Sequence, residues 1–380
     1  MSLSNEDSLR LNVLIRQELR AVRVDESSMT VHALTGKGEV KVVLAPNCRD
    51  EQYLRKVREL LSTHALGSPG GYPVFLKRWT RMGQTREQNL DRLLLLGEPE
   101  AVVAVAHAPG LNETLARHTW WAMPTADIAR RLLENKTVAG GALGQELANY
   151  LLDYMPFETE PQAIIDNVRL VLQPGLINEE MRRELWDRAG RKTLYYVGFL
   201  LAIPDELPQP AAEHVALASV SERLETLAAQ DNPYARQLKR LLSAAGQAYL
   251  QTLDKAVAKL VNQDMTVALL QGMENYFEAV GAQGDRSQSG LREMDDVAAS
   301  VRQRLQADDD QALNQCLAEL PELAGGIEAM LCLSMVGEAI INPIFSQTDA
   351  MGSVMRKKLE PVTQPLRAFI TRLQQPSLQS

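Results

Sequence analysis

Apolar side chains recur at helical spacing over most of this chain and alternate with polar ones in one short region near its start. Leu11, Leu14, Ile15 and Leu19 repeat every three or four residues behind Ser4 and Asp7, the pattern of an N-capped helix with an acidic first turn. Alternating or β-branched runs follow at residues 29–34 and 39–44, with a glycine-containing turn at 35–38 between them, which predicts a β-hairpin. Residues 21–24 offer a third strand. So few strands are marginal alone, so this sheet must pack on helices. Leu54, Val57, Leu60 and Leu61 restore helical spacing, which stops at Gly67, and residues 67–73 have the composition of a loop.

From residue 86 to 205, helical pieces alternate with Pro/Gly breaks at 97–99, 108–110, 123–124, 155–156, 174–175 and 204. Short links force such helices to lie side by side as hairpins. Leu242, Tyr249, Leu253, Ala256 and Leu260 mark a long amphipathic helix, and Leu291, Met294, Ala298, Val301 and Leu305 another. The acidic run 308–310 starts the next helix. Pro361 and Pro365 predict a short or kinked last helix, and the final six residues read as disordered. The expected fold is therefore mainly α, a multi-helical array or orthogonal bundle carrying a small N-terminal α+β unit. Its expected segments are 1–85, 86–205 and 211–380, with a proline-rich link at 204–210 and a glycine-rich mobile stretch at 281–290.

Composition narrows the function classes. The formal net charge is −8, and residues 211–380 carry 15 Lys/Arg against 21 Asp/Glu, whereas residues 1–210 carry 25 against 27. Such a balance disfavours general coating of nucleic acid, which needs a concentrated positive field. The three cysteines, Cys48, Cys316 and Cys332, form no CxxC pair and suit a reducing cytoplasm. No stretch reads as a signal peptide or a membrane span; the longest apolar run, 194–203, is half the length a span needs. The expectation is a soluble cytoplasmic protein that makes no use of a membrane.

Few residues carry candidate chemistry. The five histidines lack close metal-ligand spacing, so no metal and no cofactor is expected. The 67–72 glycines could aim N–H groups at an anion, but no Lys-Ser/Thr follows and a helix precedes them, so a structural turn is preferred to a phosphate loop. Cys48 lies between the last strand and a helix, beside Arg49, where a thiol can be activated; it is the candidate thiol. Lys77, Arg78, Trp79, Arg81 and Arg86, with Arg117, Trp120 and Trp121, form a candidate patch for an anion or a partner. Adjacent helical tryptophans point about 100° apart, so only one of Trp120 and Trp121 can be deeply buried. Cys316 and Cys332 sit among leucines and methionines and read as core. Neither a nucleophile elbow nor a dinucleotide fingerprint is present, and no catalytic residue is assigned.

Several stretches together resemble one family: DSLRLNV at 7–13, APNCRDEQY at 45–53, LGSPGGYP at 66–73, RWTRMG at 78–83, WWAMP at 120–124, LQPGL at 172–176 and YYVGF at 195–199. In these the chain resembles the DsrS-type proteins, accessory proteins associated with the reverse dissimilatory sulfite reductase system of sulfur-oxidising bacteria. The resemblance covers residues 5–210 and is weaker beyond. It implies a bacterial cytoplasmic protein linked to sulfur oxidation and brings no catalytic residue with it. The expectation is a non-enzymatic accessory component with a protein partner. The alternatives are a thiol or persulfide handler using Cys48 and a nucleic-acid-binding regulator using the 77–86 stretch, the less favoured of the partners.

Overall fold

The computed structural model describes residues 3–73, 90–281, 293–307, 309–347 and 350–378. The fold is mainly α, with one small antiparallel sheet near the N-terminus. The chain divides into two compact units, Met1–Pro156 with Pro174–Leu176, and Phe157–Gln173 with Ile177–Ser380.

The first unit opens with α1 (Asn5–Ile15), whose N-cap Ser4 accepts a hydrogen bond from the Asp7 amide. Strands β1 (Leu19–Asp25), β2 (Thr30–Thr35) and β3 (Gly38–Val43) then form a meander in the order β1-β2-β3. Ala33 pairs with Val22 on one side and Val40 on the other. Helix α2 (Asp50–Leu66) ends at Gly67, which takes the left-handed conformation at φ 70°. Leu11 and Leu14 of α1, Val31 and Val42 of the sheet, and Tyr53, Val57 and Leu61 of α2 form one buried core. The sheet therefore gets its stability from two helices, as its small size requires. The unit continues through α3 (Leu90–Leu93), α4 (Pro99–Ala106), α5 (Glu113–Ala122), α6 (Ala126–Leu133), α7 (Lys136–Ala139) and α8 (Ala142–Tyr154). Asn112, Thr125 and Asn135 cap α5, α6 and α7 with side-chain oxygens, which is why short helices end cleanly here.

The second unit contains α9 (Pro161–Val171), α10 (Glu179–Ala189), α11 (Leu194–Ala202), α12 (Leu217–Ala229), α13 (Pro233–Leu242), α14 (Ala244–Val257), α15 (Gln263–Tyr276), α16 (Met294–Gln306), α17 (Gln311–Glu319), α18 (Ala324–Met335), α19 (Glu338–Phe345) and α20 (Gly352–Arg372). A single hydrophobic core runs from Ile165 to Leu378. Its central helix is α18, in which residues 325–327 and 329–334 are all buried. Among the described residues no single helix is long and apolar enough to cross a membrane; one bent pair, Pro321–Met335 with α19, passes by length and composition, and α18 serves here as a core helix.

Several local expectations shift. The unit boundary falls after Pro156, and residues 204–210 lie inside the second unit, because Leu200 before them and Val220 after them share its core. The long helix through Leu242 and Tyr249 is two helices: Ser243 is extended and its hydroxyl accepts the Gly246 amide, capping α14. The last helix is neither short nor stopped by proline, since α20 runs for 21 residues with Pro361 and Pro365 inside it. Each proline removes one ladder bond, but the carbonyls so freed, on Lys357 and Pro361, belong to exposed residues that water can serve. Met355, Leu359, Val362, Leu366 and Ile370 meanwhile hold the other face in the core. The tail beyond it is ordered through Leu378, whose side chain is buried against Gly326 and whose carbonyl accepts the Gly326 amide at 3.2 Å.

Candidate functional site

Cys48 lies in the turn between β3 and α2, half-buried against the first unit's core, with its sulfur 3.7 Å from the Arg49 carbonyl. Cys316 and Cys332 are buried, and burial pushes both thiols up to about 12. The candidate residues Lys77, Arg78, Trp79, Arg81 and Arg86 lie outside the described residues.

The other half of the expected patch is placed by α5. Trp120 is buried, donates its indole N–H to Glu146 at 2.8 Å and meets Tyr150 edge-on at 4.8 Å. Trp121, one residue on, is half-exposed and points to the sheet instead, as the 100° turn of a helix demands. Its indole reaches Glu39 at 3.3 Å, and the Arg23 guanidinium sits 5.1 Å from its ring centre. Glu39 also meets His32 at 3.0 Å and Arg23 at 3.5 Å. Burial opposes the charge on Glu39, but the hydrogen bonds from Trp121 and His32 and the charge of Arg23 outweigh it and hold the carboxyl below its usual range. Arg117 is taken up by Glu113 and Glu146 at 3.6 and 3.7 Å. Both tryptophans are thus spent on clasping α5 to α8 and to the sheet.

The glycine loop is occupied by the chain's own anion. The Ser62 hydroxyl accepts the Gly71 amide at 2.8 Å, and the Glu98 carboxylate accepts the Tyr72 amide at 2.9 Å. Gly71 has φ +61°, and a methyl group there would lie 2.2 Å from Glu98 Oε1. Gly71→Ala therefore combines a left-handed strain with a clash against a docked carboxylate, and thermal unfolding should show a loss of about 2 kcal/mol. Wild-type stability in that variant would mean Glu98 does not hold this loop.

The second unit holds an open cleft of about 1200 Å³ between the start of α13, the end of α15, the end of α16 and the start of α17. Tyr234, Arg304 and Asp310 close its floor. Tyr234 donates its hydroxyl to Asp310 Oδ2 and accepts from Arg304 Nη2, and Arg304 lies 3.4 Å from the same carboxylate oxygen. The other oxygen of Asp310 accepts the Leu313 amide at 3.0 Å, so this residue also caps α17, as the acidic run suggested. Burial, reinforced by the hydrogen bond to Asp310, pushes the Tyr234 phenol up to about 12. Burial works against the Asp310 charge, yet Tyr234, the Leu313 amide and Arg304 together lower that carboxyl. The phenol is thus a fixed donor and Asp310 a fixed acceptor, a latch rather than a reacting pair. Glu278 and Asp309 stand exposed on the rim, and among the described residues no ion pair holds either of them.

Periodicity could not find this cleft, because Tyr234 and Asp310 are 76 residues apart; the acidic run at 308–310 marked only a helix start. Among the described residues no group of His, Cys, Asp or Glu is arranged to hold a metal ion. What the arrangement offers is hydrogen bonding and negative potential. Comparison with known protein families, with curated proteins and with solved structures finds no match.

Proposed function

We propose that this chain is a non-enzymatic accessory component that binds another protein, linked to bacterial sulfur oxidation and working in the cytoplasm. The observation that carries the binding role is the acidic cleft: a floor immobilised by the Tyr234–Arg304–Asp310 latch and a rim where the exposed carboxylates of Glu278 and Asp309 form no ion pair among the described residues. Exposed carboxylates beside a rigid floor favour a basic segment of a partner protein, since opposite potentials speed encounter and fix register. The link to sulfur oxidation rests on the resemblance of residues 5–210 to the DsrS-type proteins.

The test is affinity capture from lysate of sulfur-oxidising cells, comparing wild type with the double variant Glu278→Lys, Asp309→Lys. Wild type should retain a defined partner that the double variant loses, and added salt should weaken the capture. Equal recovery by both proteins, or no partner with wild type, would refute the reading. Cys48 supports a second reading, because it is the one cysteine with exposed surface. Persulfide loading followed by mass spectrometry would then add about 32 Da to Cys48 and to neither buried thiol; an unmodified Cys48 disposes of that reading.

A further inference from the structure

The two edges of the small sheet are treated differently. Along β1 the Val22 amide donates to the Leu94 carbonyl at 2.8 Å, and α5 packs on the same strand. Along β3 nothing equivalent is present among the described residues. The Leu44 amide donates to the Met29 carbonyl, so residue 44 faces β2, and by alternation so do residues 42, 40 and 38. The backbone groups of Glu39, Lys41 and Val43 therefore point away from the sheet, and no hydrogen bond from the described residues reaches them. Beside this open edge runs a groove of about 520 Å³ between α1 and β3, lined by Leu9, Val13, Val40 and Val43. Leu9, Val13 and Val43 are 68%, 56% and 55% exposed, which places three large apolar side chains along one free strand edge. A free edge flanked by apolar side chains is a template for another strand.

We propose that a second copy of this chain adds its β3 to this edge, forming a two-fold dimer with a continuous six-stranded antiparallel sheet. This inference does not depend on the acidic cleft or on the link to sulfur oxidation. The self-complementarity of β3 argues for a copy rather than a foreign strand. Opposed residues in an antiparallel pair share a face, so outward residues must meet outward residues. With Lys41 on the axis, two ammonium groups would face each other. With Val42 on the axis, Lys41 would face valine. With Val40 on the axis, Glu39 of each copy lies opposite Lys41 of the other, giving two opposite-charge pairs and a central valine pair. Lysine on an edge strand ordinarily discourages pairing; here a glutamate two residues away makes it selective for one register. Glu39 is held in place by Trp121 and His32 yet its side chain remains 46% exposed, and among the described residues no ion pair holds Lys41. The same axis, perpendicular to the sheet, sets the two α1 helices side by side on one face, where Leu9 and Val13 of each copy meet their counterparts. A two-fold interface requires such repeated use of one patch.

Sedimentation equilibrium of the full chain across the low- to high-micromolar range tests this. Wild type should dimerise reversibly. Leu9→Glu with Val13→Glu changes only exposed positions and should weaken the dimer by at least about a hundredfold, through like charges at the axis. Lys41→Pro removes an amide that faces away from β2, so it spares the hairpin ladder and should have the same effect. Circular dichroism checks that both variants remain folded. A wild-type chain that stays monomeric throughout, or a dimer that the Leu9/Val13 variant leaves intact, overturns the proposal.

Discussion

Asp7→Ala should cost the first unit about 3 kcal/mol, because it strips a buried acceptor from two donors at once. Asp7 is fully buried in the first turn of α1. Its Oδ2 accepts the Ala45 amide at 2.9 Å and the hydroxyl of Tyr53, which is itself buried in α2. The same hydroxyl accepts the Ser4 amide at 3.1 Å. One carboxylate thus ties the cap of α1, the exit of β3 and the first turn of α2. Burial, with Asp7 beside it, raises the Tyr53 phenol above its ordinary range, so it stays a donor at any physiological pH. Alanine takes the charged acceptor from the Ala45 amide and leaves the buried Tyr53 hydroxyl only the neutral Ser4 Oγ at 3.2 Å, and a hydrogen bond to a charged group is worth roughly 1.5–3 kcal/mol. Asp7→Asn keeps an acceptor but loses the charge assistance, and should cost about half as much. Tyr53→Phe combined with Asp7→Ala should cost less than the sum of the two single changes, because both remove the same bond. Hydrogen exchange at the Ala45 amide is the local readout, and denaturant unfolding the global one. If exchange there stays slow and the midpoint does not move in Asp7→Ala, this node does not hold the unit together.

The Asp7 node also shows where sequence pattern stops being informative. The spacing of Ser4 and Asp7 identified a helix start, and α1 begins there. The second use of Asp7, against residues 38 and 46 positions away, follows from how the hairpin returns the chain over α1, and no local period records it. The same division holds elsewhere. The hairpin and its third strand were legible because a period of two separates them from every helix. The break at Ser243 was missed because apolar spacing continues across it, while the cap is written in one hydroxyl and an extended backbone. Of the short or kinked last helix that the prolines predicted, the short alternative fails at α20, because burial of one face outweighs two missing hydrogen bonds on the other. Trp120 and Trp121 were correctly singled out as a divided pair, yet their partners, Glu146 and Glu39, lie 26 and 82 residues away and make the cluster structural. The acidic cleft depends on four helix ends converging, which only the packing of the second unit decides.

Gly198→Ala should destabilise the second unit by about 2–3 kcal/mol, although alanine is the better helix former by nearly 1 kcal/mol. Gly198 sits in the middle of α11, where that helix crosses α9. A methyl group there would lie 2.5 Å from Val168 Cβ, 2.6 Å from Val168 Cγ1 and 3.0 Å from the Ile165 carbonyl oxygen. The last contact is with backbone, so no side-chain rotation relieves it, and α9 and α11 must separate. That separation loosens Ile165, Val197 and Leu200, all buried in the unit's shared core. Close packing means the loss spreads beyond the substituted atom. Val168→Ala added to Gly198→Ala removes the Cγ1 contact while keeping the Cβ and carbonyl contacts, so it should recover only part of the loss. Thermal unfolding of the two variants decides the matter. A Gly198→Ala protein that unfolds above wild type would show that helix propensity dominates and that the α9–α11 crossing has room to spare. A full recovery by Val168→Ala would place the strain in side chains alone and not in the approach of the two backbones.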